Sequence, residues 1–169
     1  MVSVKENSNK VLIDGESLEV YGPPPVIGSV LRVPGEGTRI IHTMPTFDGC
    51  DPLPARGFAK VANGVSSGSR CFAISLDYAP VRSAWGKEAG WLTPVVDFAK
   101  FNEYFGVFVP RIGLFLPALF VIDASNHLLY SEISDRLCAT VNFYAAQKVF
   151  LANLAVYFSD ALAFILSPA

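Results

Sequence analysis

Cysteine, charge and short chelating motifs are all sparse in this chain, and each shortage removes a class of function. Only three cysteines occur in 169 residues. That is too few for the disulfide framework of a small secreted domain, so the thiols read as free and the compartment as reducing and cytoplasmic. Charged residues make up 17% and the formal net charge is −2, which leaves no basic footprint for nucleic acid. The first ten residues, MVSVKENSNK, lack the apolar run of a secretory leader. Among Cys50, Cys71, Cys138, His42 and His127 no pair has the short spacing by which chains usually chelate zinc. Gly64-Val65-Ser66-Ser67-Gly68 lacks the Lys-Ser/Thr of a phosphate loop and reads as a turn. No G-x-S-x-G elbow is present and the acidic residues are scattered. Lys5, Lys10, Arg32 and Arg39 are dispersed and read as a solvated surface. Nothing calls for a cofactor or a metal.

What the chain has is apolar mass. At 51% hydrophobic it cannot be disordered, and its length suits one domain that buries a core without staples. Residues 1–38 read as an N-terminal hairpin and linker, and residues 39–169 as the main body. In the hairpin, Val11–Ile13 and Leu18–Tyr21 flank a turn at Asp14-Gly15. Pro23-Pro24-Pro25 is a stiff connector, and Gly35 and Gly37 mark a further turn. Arg39–Met44 and Cys71–Asp77 read as buried strands. Between them Asp51 is an N-cap and Pro52 a first helical residue, which predicts a helix from Pro52 to about Ala62, stopped by Asn63-Gly64. A short helix follows from Pro80 to Trp85, and Val95–Phe105 is ambiguous in period. ALFVID and HLLYSEI form a hairpin joined at Ala124-Ser125-Asn126, and the chain is helical from Val141 to near Pro168. Strand, helix, strand, helix, hairpin and final helix is the order of a thioredoxin-like α/β domain, a central mixed sheet flanked by helices.

Val149–Leu166 is the one run that invites a membrane reading, but Asn153, Ser159 and Asp160 interrupt it. An aspartate at bilayer depth is costly, so the expectation is a buried or dimer-interface helix rather than a span. Phe98, Phe101, Tyr104, Phe105, Phe108, Phe115 and Phe120 fill much of a core. The all-round apolar terminal helix, with Phe150, Tyr157, Phe158 and Phe164, exceeds what one small domain covers. That surplus predicts a homodimer, or another partner held through the C-terminal helix.

From Arg39 onward the chain resembles the thiol peroxidase branch of the peroxiredoxins. The likeness lies in Met44-Pro45-Thr46-Phe47-Asp48 and in Ala73-Ile74-Ser75-Leu76-Asp77 with Ser83-Ala84-Trp85-Gly86. It continues in Phe105-Gly106-Val107, in Gly113-Leu114 with Ala118 to Asp123, and in Tyr144-Ala145-Ala146. The resemblance implies a peroxide substrate, a thiol reductant such as thioredoxin, and frequent dimerisation. Every residue it would use for chemistry is nevertheless replaced. The threonine of the family's Pro-x-x-x-Thr-x-x-Cys loop falls on Gly49, its peroxidatic cysteine on Pro52, its resolving cysteine on Gly86 and its arginine on Pro117. The stretch between hairpin and Arg39 is also shorter than the family's.

Peroxide reduction needs a thiolate, favoured by a helix N-terminus or a nearby arginine, and hydrogen bonds to the leaving oxygen. Cys50, immediately before the expected N-cap, is the candidate peroxidatic thiol. Arg56 and Arg111 are the cations that could approach it, whereas Asp48 and Asp51 would raise its pKa. Cys71, opening a buried strand, and Cys138, before the last helix, are the candidate resolving thiols, although both also suit the role of small hydrophobes. His42 reads as a packed core histidine. The sequence leaves two functions open. One is a thiol peroxidase-like redox protein working through a Cys50 thiolate with impaired power. The other is a degenerate peroxiredoxin-like domain serving as a structural or protein-interaction module.

Overall fold

A computed structural model describes residues 8–166 apart from 14, 32, 34, 35, 66–69, 95 and 97. Lys5, Asp14, Arg32, Gly35 and Ser66–Gly68 lie outside the described residues. The central sheet has the order β4-β3-β7-β8, built from β3 (Arg39–Thr43), β4 (Arg70–Ile74), β7 (Ala118–Ile122) and β8 (Leu128–Ile133). β3 and β4 are parallel, with Ile40 opposite Cys71 and Thr43 opposite Ile74, while β3–β7 and β7–β8 are antiparallel. The sheet is therefore mixed, and the parallel pair is joined through helix α1 (Leu53–Val65), the crossover such a pair requires. β3 and β7 are buried at every position. Both faces of the sheet are covered, so β7 runs continuously apolar, while β3 buries Arg39, His42 and Thr43 beside Ile40 and Ile41 and satisfies them with hydrogen bonds.

A second sheet of order β1-β2-β5-β6 unites the hairpin β1 (Ser8–Ile13) and β2 (Glu16–Tyr21) with β5 (Phe108–Val109) and β6 (Leu114–Phe115). Ile13, Leu18 and Val20 enter the same core as Phe105, Phe115 and Phe120. The N-terminal hairpin is thus part of the body's packing and not a detached appendage. On the opposite face of the central sheet, α1 presents Ala55, Phe58, Ala59 and Ala62 at helical spacing to Trp85, Trp91 and Phe150.

Element bounds differ from expectation for local reasons. α1 runs through Asn63-Gly64 to Val65; a helical glycine costs only about 1 kcal/mol against alanine, less than buried Ala62 and its neighbours supply. β4 stops at Ile74 because Ser75 Oγ donates to Asp77 Oδ2 (2.8 Å) and curls the chain. α2 extends over Ala79–Ala89, past Trp85, and ends at Gly90 with φ 75°, the left-handed cap that favours glycine. The ambiguous stretch contains α3 (Phe98–Tyr104), and the last helix, α4, spans Phe143–Leu166.

Arg39 departs from the solvated-surface reading, since it is buried at the start of β3. Its guanidinium donates to Val33 O (2.8 Å), Asp123 O (2.9 Å) and Asn126 Oδ1 (2.7 Å). A buried guanidinium needs such partners, and here they tie β3 to the β7–β8 turn. α4 is buried only over its first turns, so of the buried and interface alternatives the buried one holds for its start alone. Ala146 and Phe150 are fully buried against α1 and β7, but Phe158, Leu162, Phe164 and Ile165 are bare.

Candidate functional site

The parallel strands β3 and β4 deliver two loops to one end of the sheet, and Asp77 locks them together. Its carboxylate accepts from Thr46 Oγ1 (2.9 Å), the Phe47 amide (2.6 Å) and Ser75 Oγ. Phe47 stacks on Trp85 of α2 at 4.7 Å between centroids. Held this way, the loop turns through Gly49 at φ 72°, and the Cys50 amide donates to Phe47 O (3.2 Å). Asp51 Oδ1 then accepts from the Leu53 amide (2.9 Å), the expected N-cap of α1. Cys50 is consequently fixed at the mouth of that helix, and its Sγ–H donates to Thr46 O at 3.1 Å.

Cys50 faces a cavity of about 230 Å³, and Cys138 lines the same cavity from the β8–α4 loop. That loop is pinned by Ser134 Oγ, which accepts from the Arg136 amide (3.1 Å) and donates to Arg136 O (3.1 Å). Glu132 Oε2 holds its far end through the Asn142 amide (2.8 Å). Cys50 is half-buried and Cys138 exposed. Of the sequence candidates, these two are brought together.

Cys71 is not. It lies opposite Ile40, three strand positions before the Thr43–Ile74 end, so at about 3.3 Å per residue it sits roughly 10 Å short of the loops. It is buried in the core, and burial pushes its thiol up to about 12. Arg111 is not either: it is in the turn between β5 and β6, exposed and ion-paired with Glu16. Arg56, exposed on α1, does not line the cavity. Among the described residues no lysine or arginine lines the cavity.

Pro117 and Gly49, two positions onto which the resemblance places the family's arginine and threonine, both line the cavity. Gly86 is buried in α2, and a Cβ there would come 2.7 Å from Thr93 Cγ2 and 2.8 Å from Trp91 O. This packing has no room for a cysteine side chain.

Electrostatics follow from the lining. Burial raises the Cys50 pKa, and the charges of Asp77, Cys138 and Asp48 add to it in that order. The thiol therefore rests protonated on Thr46 O. His42 is both packed and on the cavity wall. Its Nδ1 lies 2.8 Å from Ala118 O, which places the proton on Nδ1, and burial lowers its pKa to about 4. Trp85 also lines the cavity, and its buried Nε1–H has no hydrogen-bond partner among the described residues. Sequence reasoning missed Trp85 as a donor, because an indole in an apolar helix carries no signal of where its N–H is left. No three His, Cys, Asp or Glu side chains among the described residues converge to hold a metal.

No protein-family model and no curated protein sequence matches the chain. Solved structures do. A peroxiredoxin-like protein from Aquifex aeolicus superposes with TM-score 0.66 at 18% identity, covering 84% of this chain and 96% of that one. A thiol peroxidase from Chromobacterium violaceum gives 0.64 at 20% identity, covering 85% and 96%. A mitochondrial 2-Cys peroxiredoxin from Plasmodium falciparum gives 0.53 at 18% identity, covering 95% and 98%. At these identities the likeness is one of fold: the chain has the thioredoxin-like fold of the peroxiredoxins.

Proposed function

We propose that the chain is a thiol peroxidase-like redox protein of reduced peroxidase power, acting in a reducing, cytoplasmic compartment through Cys50 and resolved by Cys138. The observation that carries this reading is that the two thiols, from separate loops, line one cavity. The Cys50 thiolate attacks the terminal oxygen of a peroxide. The O–O bond breaks, water or an alcohol leaves with a proton, and Cys50 becomes a sulfenic acid. The Cys138 thiol then attacks that sulfur, water leaves, and a Cys50–Cys138 disulfide forms. A dithiol reductant of the thioredoxin class returns both thiols.

The reduced power follows from the lining. At an ordinary pKa of about 8.5 only a few per cent of a cysteine is thiolate at neutral pH, and burial, with the carboxylates of Asp77 and Asp48 nearby, shifts Cys50 further from ionisation. No cation on the described wall offsets them. The unspent Trp85 N–H is the donor that would meet the leaving oxygen. The degenerate, structural reading is favoured by the same missing cation and by Gly49 in place of a hydroxyl.

The test is peptide mapping after stoichiometric hydrogen peroxide. Selective oxidation at Cys50, ending in a disulfide to Cys138, is expected. Slow and equal oxidation of Cys50 and Cys138 would leave only the structural reading.

A further inference from the structure

The wall of the thiol cavity carries a buried acceptor that the chemistry above does not use. Asp51, Cys138 and Thr140 are exposed at its rim and Cys50 is half-buried. Trp85 is buried but can only donate. His42, 4% exposed, is the buried side chain on this wall, among the described residues, with a nitrogen lone pair to offer.

β3 brings it there, because residues 40 and 42 alternate onto the sheet face that α1 and α4 cover. Three rings then hold the imidazole. Phe143 of α4 meets it edge-on at 5.2 Å, Trp91 edge-on at 6.2 Å and Trp85 of α2 tilted at 6.5 Å between centroids. Nδ1 lies 2.8 Å from Ala118 O and keeps the proton, so Nε2 keeps the lone pair. No donor bonds to Nε2 among the described residues, and Nε2 is not one of their sealed, unpartnered polar atoms, so it opens onto the cavity that its ring lines. Burial keeps the ring neutral against the Ala118 bond and the charge of Glu132 on β8, which oppose it. The other titratable groups on the cavity are Cys50, Asp51 and Cys138. A buried acceptor without a donor is a cost to the fold, and a ligand bearing O–H removes it.

We propose that His42 Nε2 accepts the O–H of a hydroperoxide and so sets its terminal oxygen before Cys50. The inference rests on the peroxidase reading and adds a substrate-binding residue to it. A hydroperoxide offers what this wall lacks: an O–H for Nε2, and a second oxygen for the Trp85 N–H. The thiolate sulfur bonds the terminal oxygen, which keeps its hydrogen and becomes the sulfenic S–OH. The O–O bond breaks, and its electron pair leaves with the second oxygen, which takes a proton from water at the rim. His42 neither gains nor loses a proton. The class of ligand is therefore a peroxide with a free O–H, not one alkylated at both oxygens.

The first test is nitrogen NMR of the Cys50→Ser chain, carrying isotope-labelled histidine, during titration with hydrogen peroxide. That variant has no thiol at position 50 to consume the ligand. The His42 Nε2 resonance should move and saturate, while His127, exposed in the β7–β8 turn, stays in place. A His42 signal that does not move, or that only tracks His127, overturns the proposal and leaves Nε2 to water. Kinetics give the second test. His42→Leu should slow peroxide oxidation of Cys50 about tenfold, the effect of one lost hydrogen bond, and His42→Gln, which returns a neutral acceptor, should recover most of it. Iodoacetamide needs the Cys50 thiolate but no acceptor, so its rate should stay within about twofold in His42→Leu. Equal loss of both rates assigns His42 to packing and overturns the proposal, as does a His42→Leu chain oxidised at the wild-type rate. Unselective oxidation of the wild-type chain removes the peroxidase reading instead, and the NMR titration still decides what His42 binds.

Discussion

Cys71 stands on β4 of the parallel strand pair and Cys50 on the loop that follows β3, and burial raises the pKa of both, yet their circumstances differ. Cys71 is held among core side chains at the far end of β4, whereas Cys50 lies on a loop clamped by Asp77 and opens onto a cavity shared with another thiol. Burial alone makes an inert thiol. Burial beside a cavity makes one whose reactivity is limited by its protonation and not by access. The contrast teaches that the deficit at Cys50 is electrostatic.

The strongest challenge to that contrast is removal of the thiol. Cys50→Ser should abolish peroxide consumption and disulfide formation altogether, while Cys71→Ala leaves both unchanged; peroxide decay and peptide mapping read this. The next is acid, because the cavity wall also carries neutral His42. Burial lowers its pKa from 6.5 to about 4, so the unfolded chain binds that proton first. Stability is intact above pH 6.5 and is lost as pH falls toward 4, by about 3 kcal/mol in total at 1.36 kcal/mol per pKa unit. Urea unfolding at stepped pH should show the loss, and His42→Leu should flatten it.

Alkaline pH sharpens the comparison between the thiols. Cys50 oxidation should speed up about tenfold per pH unit, near 100-fold from pH 7 to 9, as the thiolate fraction grows. Cys71, pushed up to about 12, should stay unreactive over that range. A pH-independent Cys50 rate would show that ionisation is not the limit. Pro117→Arg restores a cation to the wall and should raise the Cys50 rate at pH 7 by about tenfold, the effect of lowering its pKa by one unit. The smallest effect is at the core thiol: Cys71→Ser should cost about 1–3 kcal/mol for an unpaired buried hydroxyl, with no change in peroxide chemistry.

Much of this was legible along the chain. Apolar runs and turn residues located β3, β4, β7 and β8 to within a few residues, and Asp51-Pro52 marked the start of α1. Boundaries failed where packing or a side-chain bond intervened, at Asn63-Gly64 and at Ser75–Asp77. Arg39 was misread because an arginine beside a turn looks solvated until the carbonyls that receive it are folded around it. Cys138 could not be preferred over Cys71, since resolving a sulfenate depends on proximity and neither residue is near Cys50 in sequence.

The sequence by itself determined the layers: which segments are apolar throughout, which begin with a cap, and which loop holds a thiol at a helix mouth. These are local matters of periodicity and backbone chemistry. Only the tertiary structure decided which thiols share a cavity, that Arg111 is spent on Glu16, that Gly86 has no space for a side chain, and that the end of α4 is left bare. Those depend on which distant residues meet and on what water can reach, and no local pattern encodes either.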